Sequence, residues 1–217
     1  MSSETNRRKF LKSATGASIG IPTFIPASAL GRNGSIAPSN RIVVGGIGVG
    51  RRGQKVLDSF LQQKDAQFVA VADPQKARRE LIKSQADKHY GNRDCAIYDD
   101  MSGVLERDDI DAVLVTTGDR WHATASIYAA RAGKDIYCEK PCAMNIQECQ
   151  ELDNNIKKHR RVFQAGTQRR SVPNFRLAAD LAVKGKLGQV KEVHVHLPPR
   201  HSGTDRMRLQ IPNTPLQ

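Results

Sequence analysis

The stretch "RIVVGGIGVGRRGQKVLDSFLQQ" (residues 41–63) restricts the fold of this chain more than any other. The apolar run Ile42 to Ile47 suits a buried parallel strand. Gly48-Val49-Gly50-Arg51-Arg52-Gly53 follows, a full G-x-G-x-x-G. Val56, Leu57, Phe60 and Leu61 then recur on one face of a helix. Strand, glycine turn and helix in that order form a dinucleotide-binding fingerprint. Gly48 permits the tight turn, Gly50 lets a diphosphate approach the backbone, and Gly53 lets helix and strand pack closely. The start of the helix offers free N–H groups and a partial positive charge to phosphates.

A second apolar strand, "QFVAVAD", ends in Asp73. A carboxylate at this tip can accept hydrogen bonds from the adenosine ribose hydroxyls. It repels a 2′-phosphate, so NAD is expected over NADP. Arg78 and Arg79 could soften that preference, but both are expected on an exposed helix.

The alternation continues down the chain. "CAIY" (Cys95 to Tyr98), "DIDAVLVTT" (Asp109 to Thr117), "KDIYC" (Lys134 to Cys138) and "RVFQAG" (Arg161 to Gly166) read as strands three to six. "HATASIYAARAG" reads as a helix closed by Gly133. Asn145 caps the next helix, with Glu148 in capping-box position, and Ile146, Cys149, Leu152 and Ile156 form its expected buried face. The fold class is therefore α/β, a doubly wound parallel sheet. Ligands of such sheets lie beyond the carboxyl ends of the strands. Glu139-Lys140-Pro141 emerges there, at the end of strand five. A lysine in that place can take the hydroxyl proton when an alcohol is oxidised by hydride transfer. Glu139 is expected to hold its ammonium, and Pro141 to fix the departing chain, through an X-Pro bond that can be cis at modest cost.

Charge and cysteines exclude other classes. The net charge is +12, but the basic doublets are scattered and lack interleaved aromatics, so no nucleic-acid partner is expected. The four cysteines (95, 138, 142 and 149) form no CxxC pair; Cys138 and Cys149 are expected to be buried. His194, His196 and His201 could gather, yet no metal site is expected.

Residues 1–39 read as an address and linker. Arg7-Arg8 with Phe10-Leu11-Lys12 resembles a twin-arginine signal, followed by an uncharged stretch and Ala27-Ser28-Ala29 as cleavage site. That stretch is too rich in Ser, Thr, Gly and Pro for a stable membrane span. The twin-arginine export machinery is thus an expected partner, and the periplasm the expected location. This route carries folded proteins, so a tightly held cofactor would be loaded before export.

"GVGRRG", "VADPQKAR", "TTGDRWHATASIYAARAGKDIYCEKPCAMNIQECQEL" and "FQAGTQRRS" together resemble the Gfo/Idh/MocA oxidoreductases, over roughly residues 40–195. The resemblance implies NAD-dependent hydride transfer at a sugar or polyol hydroxyl. It implies Lys140 as the catalytic lysine, with Glu139 and Pro141 completing its motif. Gly48, Gly50, Gly53 and Asp73 match the NAD-binding positions. Thr116, Thr117 and His122 match the loop along the cofactor, although Gly118 stands where proline is common. Gln168 and Arg169 match a loop near the substrate. His122 also has the simpler reading of a histidine that merely caps its helix. Glycoside hydrolases that oxidise a sugar transiently share the resemblance and form the alternative. A truncated product that binds NAD without turnover is a third reading.

Residues 40–166 are expected to be the NAD-binding domain, and 167–217 the start of a domain that walls the substrate site and forms homo-oligomers in full-length relatives. That start comprises a helix, Val172 to Gly185, and a strand, Gln189 to Leu197, left as an unpaired edge. "PPRHSGTDRMRLQIPNTPLQ" has no periodicity and does not resemble the family, which reads as coding sequence cut short or frame-shifted.

Overall fold

The computed structural model describes residues 36–194. The proposed signal (Arg7-Arg8 onward), His196, His201 and the sequence after Leu197 lie outside the described residues. The chain divides into two units after Thr167.

The first unit is a six-stranded sheet in the order β3-β2-β1-β4-β5-β6, all pairs parallel. The strands are β1 (Ile42–Ile47), β2 (Ala66–Ala72), β3 (Ala96–Tyr98), β4 (Ala112–Val115), β5 (Asp135–Glu139) and β6 (Phe163–Gly166). Between them run α1 (Arg51–Leu61), α2 (Lys76–Tyr90), the short α3 (Ser102–Leu105), α4 (His122–Arg131) and α5 (Ile146–His159). This is the doubly wound parallel sheet that the alternation predicts.

The pleat divides the core in two, because successive side chains of a strand point to opposite faces. Val113, Val115, Ile136 and Cys138 join Ala125 and Ala129 of α4 on one face. Leu114, Phe68 and Val71 join Val56, Leu57 and Ile82 of α1 and α2 on the other. The small alanines of α4 let that helix lie close to the sheet.

Register places the functional edge. Ile47 is level with Ala72 on one side and with Val115 on the other. Val115 is level in turn with Cys138. The residues one step beyond that line are Gly48, Asp73, Thr116 and Glu139. Four chain segments thus present four site residues along one rim, on either side of the point where strand order reverses.

Three expectations need correction. β4 is shorter than Asp109 to Thr117: Ile110 closes a turn onto Arg107, and the Asp111 carboxylate accepts the Val43 N–H, so pairing starts at Ala112. In α5, Ile146 and Cys149 are exposed. The first turn is given over to the cap, where Glu148 accepts from Asn145 and Met144, and the buried face starts a turn later with Leu152 and Asn155. Gln189 to His194 form no strand, since no edge among the described residues pairs with them; Val195 to Leu197 lie outside the described residues.

The second unit is described here by a 3-10 turn (Gln168–Ser171) and α6 (Pro173–Val183), which exposes Phe175, Leu177 and Val183. No helix among the described residues is long and apolar enough to cross a membrane.

Candidate active site

A cleft of about 450 Å3 opens at the carboxyl ends of β1, β2 and β4. Gly48 turns the chain with a φ of +67°, and its N–H donates to Ala72 O at 2.8 Å. A side chain there would strike Thr117, with a Cβ 2.7 Å from the Thr117 Cα. Gly53 lets α1 press on the sheet, since a Cβ would collide with the Thr116 hydroxyl and lie 2.8 Å from Val49 Cγ1. At Gly50 the space is open: a Cβ would meet only Arg78 Nη1, at 3.7 Å. No side chain caps α1 and its first turn holds no acid, so its leading N–H groups stay available. This backbone cradle fits a diphosphate.

Asp73 lies against the cleft at 2% exposure. Its Oδ1 accepts the Gln75 N–H at 2.8 Å, which orients the carboxylate. The two neighbouring arginines differ from expectation. Arg78 is exposed, as expected, but it lines the cleft beside Gly50. Arg79 is half-buried and donates to the carbonyls of Asp73 and Pro74. The tight turn after β2 leaves those carbonyls within its reach.

Thr116 is buried and its hydroxyl donates to Gly48 O at 3.2 Å, locking β4 to the glycine turn. Thr117 and Gly118 continue the cleft wall. Trp121 stands beside them, 54% exposed; the sequence reading passed over it, although a tryptophan directly before His122 was visible.

His122 is 1% exposed, and its ring nitrogens are spent on main chain: Nδ1 lies 2.7 Å from Pro141 O and Nε2 lies 3.1 Å from Thr117 O. It caps nothing by side chain. Instead it ties the loop after β4 to the tip of β5. Both partners are acceptors, so a neutral ring donates to one and only the protonated ring to both.

Glu139 also departs from expectation. Its carboxylate does not hold the Lys140 ammonium. Arg52, in the first turn of α1, donates to Glu139 Oε1 from Nε at 3.0 Å and from Nη2 at 2.9 Å. Glu139 Oε2 accepts the backbone N–H of Lys140 at 3.3 Å. The guanidinium fork meets the carboxylate from across the rim, where the Lys140 side chain does not turn back to reach it. Lys140 itself is exposed and stands beyond the residues lining the cleft, and the Lys140–Pro141 peptide bond is cis.

The thiols around this tip are poor nucleophiles. Burial pushes Cys138 up to about 12 and raises Cys142 as well. At neutral pH both stay protonated.

Gln168 and Arg169 belong to the second unit, where the Arg169 guanidinium stacks 4.8 Å from the centre of the Phe175 ring. Among the described residues no cluster of His, Cys, Asp and Glu could hold a metal; His194 is exposed beside Glu192.

Residues 42–167 match the model of the oxidoreductase family with NAD-binding Rossmann fold, Gfo/Idh/MocA. The chain belongs to this family. One relative, 2,7-anhydro-N-acetylneuraminate hydratase of Mediterraneibacter gnavus, is 30% identical over 148 residues, 68% of this chain and 37% of the relative. A glycosyl hydrolase family 109 protein of Shewanella sp. (strain MR-4) is 31% identical over 174 residues, 70% of this chain and 37% of the relative. The structure of scyllo-inositol dehydrogenase from Lactobacillus casei with NAD(H) and scyllo-inositol superposes with a TM-score of 0.60 at 28% identity, covering 69% of this chain and 43% of that one. The chain spans less than half the length of each.

Proposed function

We propose that this chain is the dinucleotide-binding part of a nicotinamide-dependent enzyme that oxidises a hydroxyl of a sugar or polyol. The observation that carries the reading is the rim itself, where register aligns Gly48, Asp73, Thr116 and Glu139 around an open glycine turn. When bound, the dinucleotide supplies the acceptor for a hydride. The open backbone at Gly50 and the uncapped start of α1 would hold its diphosphate. Asp73 would accept from the adenosine ribose hydroxyls, which favours NAD over NADP. Glu139 and Pro141 contribute by fixing the lysine-bearing tip, as do Thr117 and His122 through the loop they share. The Lys140 Nζ would take the substrate hydroxyl proton as the C–H bond breaks. Gln168 and Arg169 are the proposed substrate-side residues.

The test is turnover of a panel of free sugars and polyols with NAD+, by the parent chain and by Lys140→Ala. The expected result is NADH formation by the parent and a loss of about 100-fold or more in kcat for the variant. Undiminished turnover by Lys140→Ala overturns the assignment.

The glycosyl hydrolase and hydratase relatives support a second reading, in which a sugar is oxidised transiently and reduced again. Release of an aglycone from a glycoside without net NADH would favour it. The Arg7-Arg8 segment supports export by the twin-arginine route, with the dinucleotide loaded first. Fusing residues 1–39 to a folded reporter and replacing both arginines by lysine tests this; unchanged periplasmic accumulation refutes it.

A further inference from the structure

We propose that Arg52 is a positioning residue that ties the glycine turn to the lysine-bearing tip of β5, and so couples dinucleotide binding to the placement of Lys140. The proposal rests on the functional reading above. Arg52 sits inside the fingerprint, in the first turn of α1, and forms part of the cleft wall. Its guanidinium makes two bonds to one carboxylate oxygen of Glu139, 87 residues away in sequence. The other oxygen of that carboxylate receives the Lys140 backbone N–H. One carboxylate therefore joins the wall that meets the diphosphate to the residue that carries the amine.

The surroundings leave this carboxylate little freedom. The Glu139 side chain is 4% exposed and that of Arg52 is 44% exposed. Among the described residues neither group has another charged partner. Gly166 of β6 closes the far side, where a Cβ would lie 3.1 Å from the Glu139 Cδ. At the other end of the tip, His122 holds Pro141 O. The segment Glu139 to Pro141 is thus gripped at both ends, and Arg52 is the grip that also faces the cleft. The buried carboxylate has no water to fall back on, so it tolerates little change in the geometry of this half-exposed pair. A lysine in place of Arg52 lacks the planar fork that supplies two parallel donors.

The experiment uses the full 217-residue chain in four forms: parent, Arg52→Ala, Arg52→Lys and Arg52→Ala with Glu139→Gln. Each is assayed for NAD+ affinity by calorimetry, for melting temperature, and for acetylation of Lys140 by N-hydroxysuccinimidyl acetate. Acetylation is mapped by mass spectrometry without dinucleotide, with exposed Lys64 as internal reference. The expected result for Arg52→Ala is a loss of about tenfold in NAD+ affinity and a changed Lys140 rate relative to Lys64, about twofold or more. Arg52→Lys falls between. The double variant, which removes the stranded carboxylate charge, regains melting temperature but not affinity or the parent Lys140 rate. The proposal is overturned if Arg52→Ala alters melting temperature alone, or if the double variant restores all three properties. A parent chain that binds no NAD+ refutes the functional reading instead; the acetylation comparison then still decides whether Arg52 positions Lys140.

Discussion

Asp73 and Glu139 occupy equivalent places on two strands and are held in opposite ways. Each is the first residue past the common register line, on β2 and β5, and each is nearly inaccessible, at 2% and 3% exposure. Asp73 is oriented by a backbone N–H within its own turn. Glu139 is matched by the guanidinium of a distant helix. A carboxylate fixed by local backbone keeps an oxygen for a ligand and places no demand on a remote partner. One matched by a guanidinium joins two segments and depends on that partner for its charge balance. The first arrangement suits a ligand contact, the second a brace.

The largest effect should come from unbalancing the brace. Removing Arg52 strands a buried charge, whereas removing Glu139 leaves a guanidinium that can turn to water. Arg52→Ala should cost about 3 kcal/mol in urea unfolding and Glu139→Ala about 1 kcal/mol, the low end reflecting a half-exposed arginine. Equal losses would break the distinction between the two members of the pair.

A smaller effect is expected at Asp73. In Asp73→Asn the amide oxygen still accepts the Gln75 N–H, so stability should hold within about 0.5 kcal/mol. Preference for NAD+ over NADP+, read by calorimetry, should fall about tenfold, a change of about 1.4 kcal/mol. An unaltered preference would show that Asp73 does not face the ribose.

The smallest effect sharpens how dry the β5 tip is. Cys138 precedes Glu139, and burial raises its thiol from 9.0 to about 12. Below pH 9 both folded and unfolded chains keep that proton. Above it the unfolded chain releases the proton first, so stability should fall as pH rises from about 9 toward 12. Urea unfolding across that range should show a shallower decline in Cys138→Ala than in the parent. Identical slopes would mean that water reaches the tip.

Much of this is legible in the sequence alone. Strand positions, the glycine turn and the acid at the end of β2 follow from short-range patterns: apolar runs, the spacing of three glycines, a helix face. Residues whose partners are distant were read less well. Arg52 looked like one of several scattered basic doublets, and its role depends on β5 emerging beside the start of α1. The His122 ring bridges two loops brought together by the β4–β5 pairing, a link that no local pattern carries. Cys149 and Ile146 fit a helical stripe, yet burial on α5 starts only where α4 lies against it, with Arg131 bonded to Asn155.

The sequence by itself determined the alternation of strand and helix, the family, and the residue types that stand at each strand tip. Those properties are set by backbone preference and by hydrophobic period, which act over a few residues. Only the tertiary structure decided which charges meet. A side chain's partner is selected by which strands lie adjacent and how they are registered, and no local pattern encodes that Arg52 would take the carboxylate expected to serve Lys140.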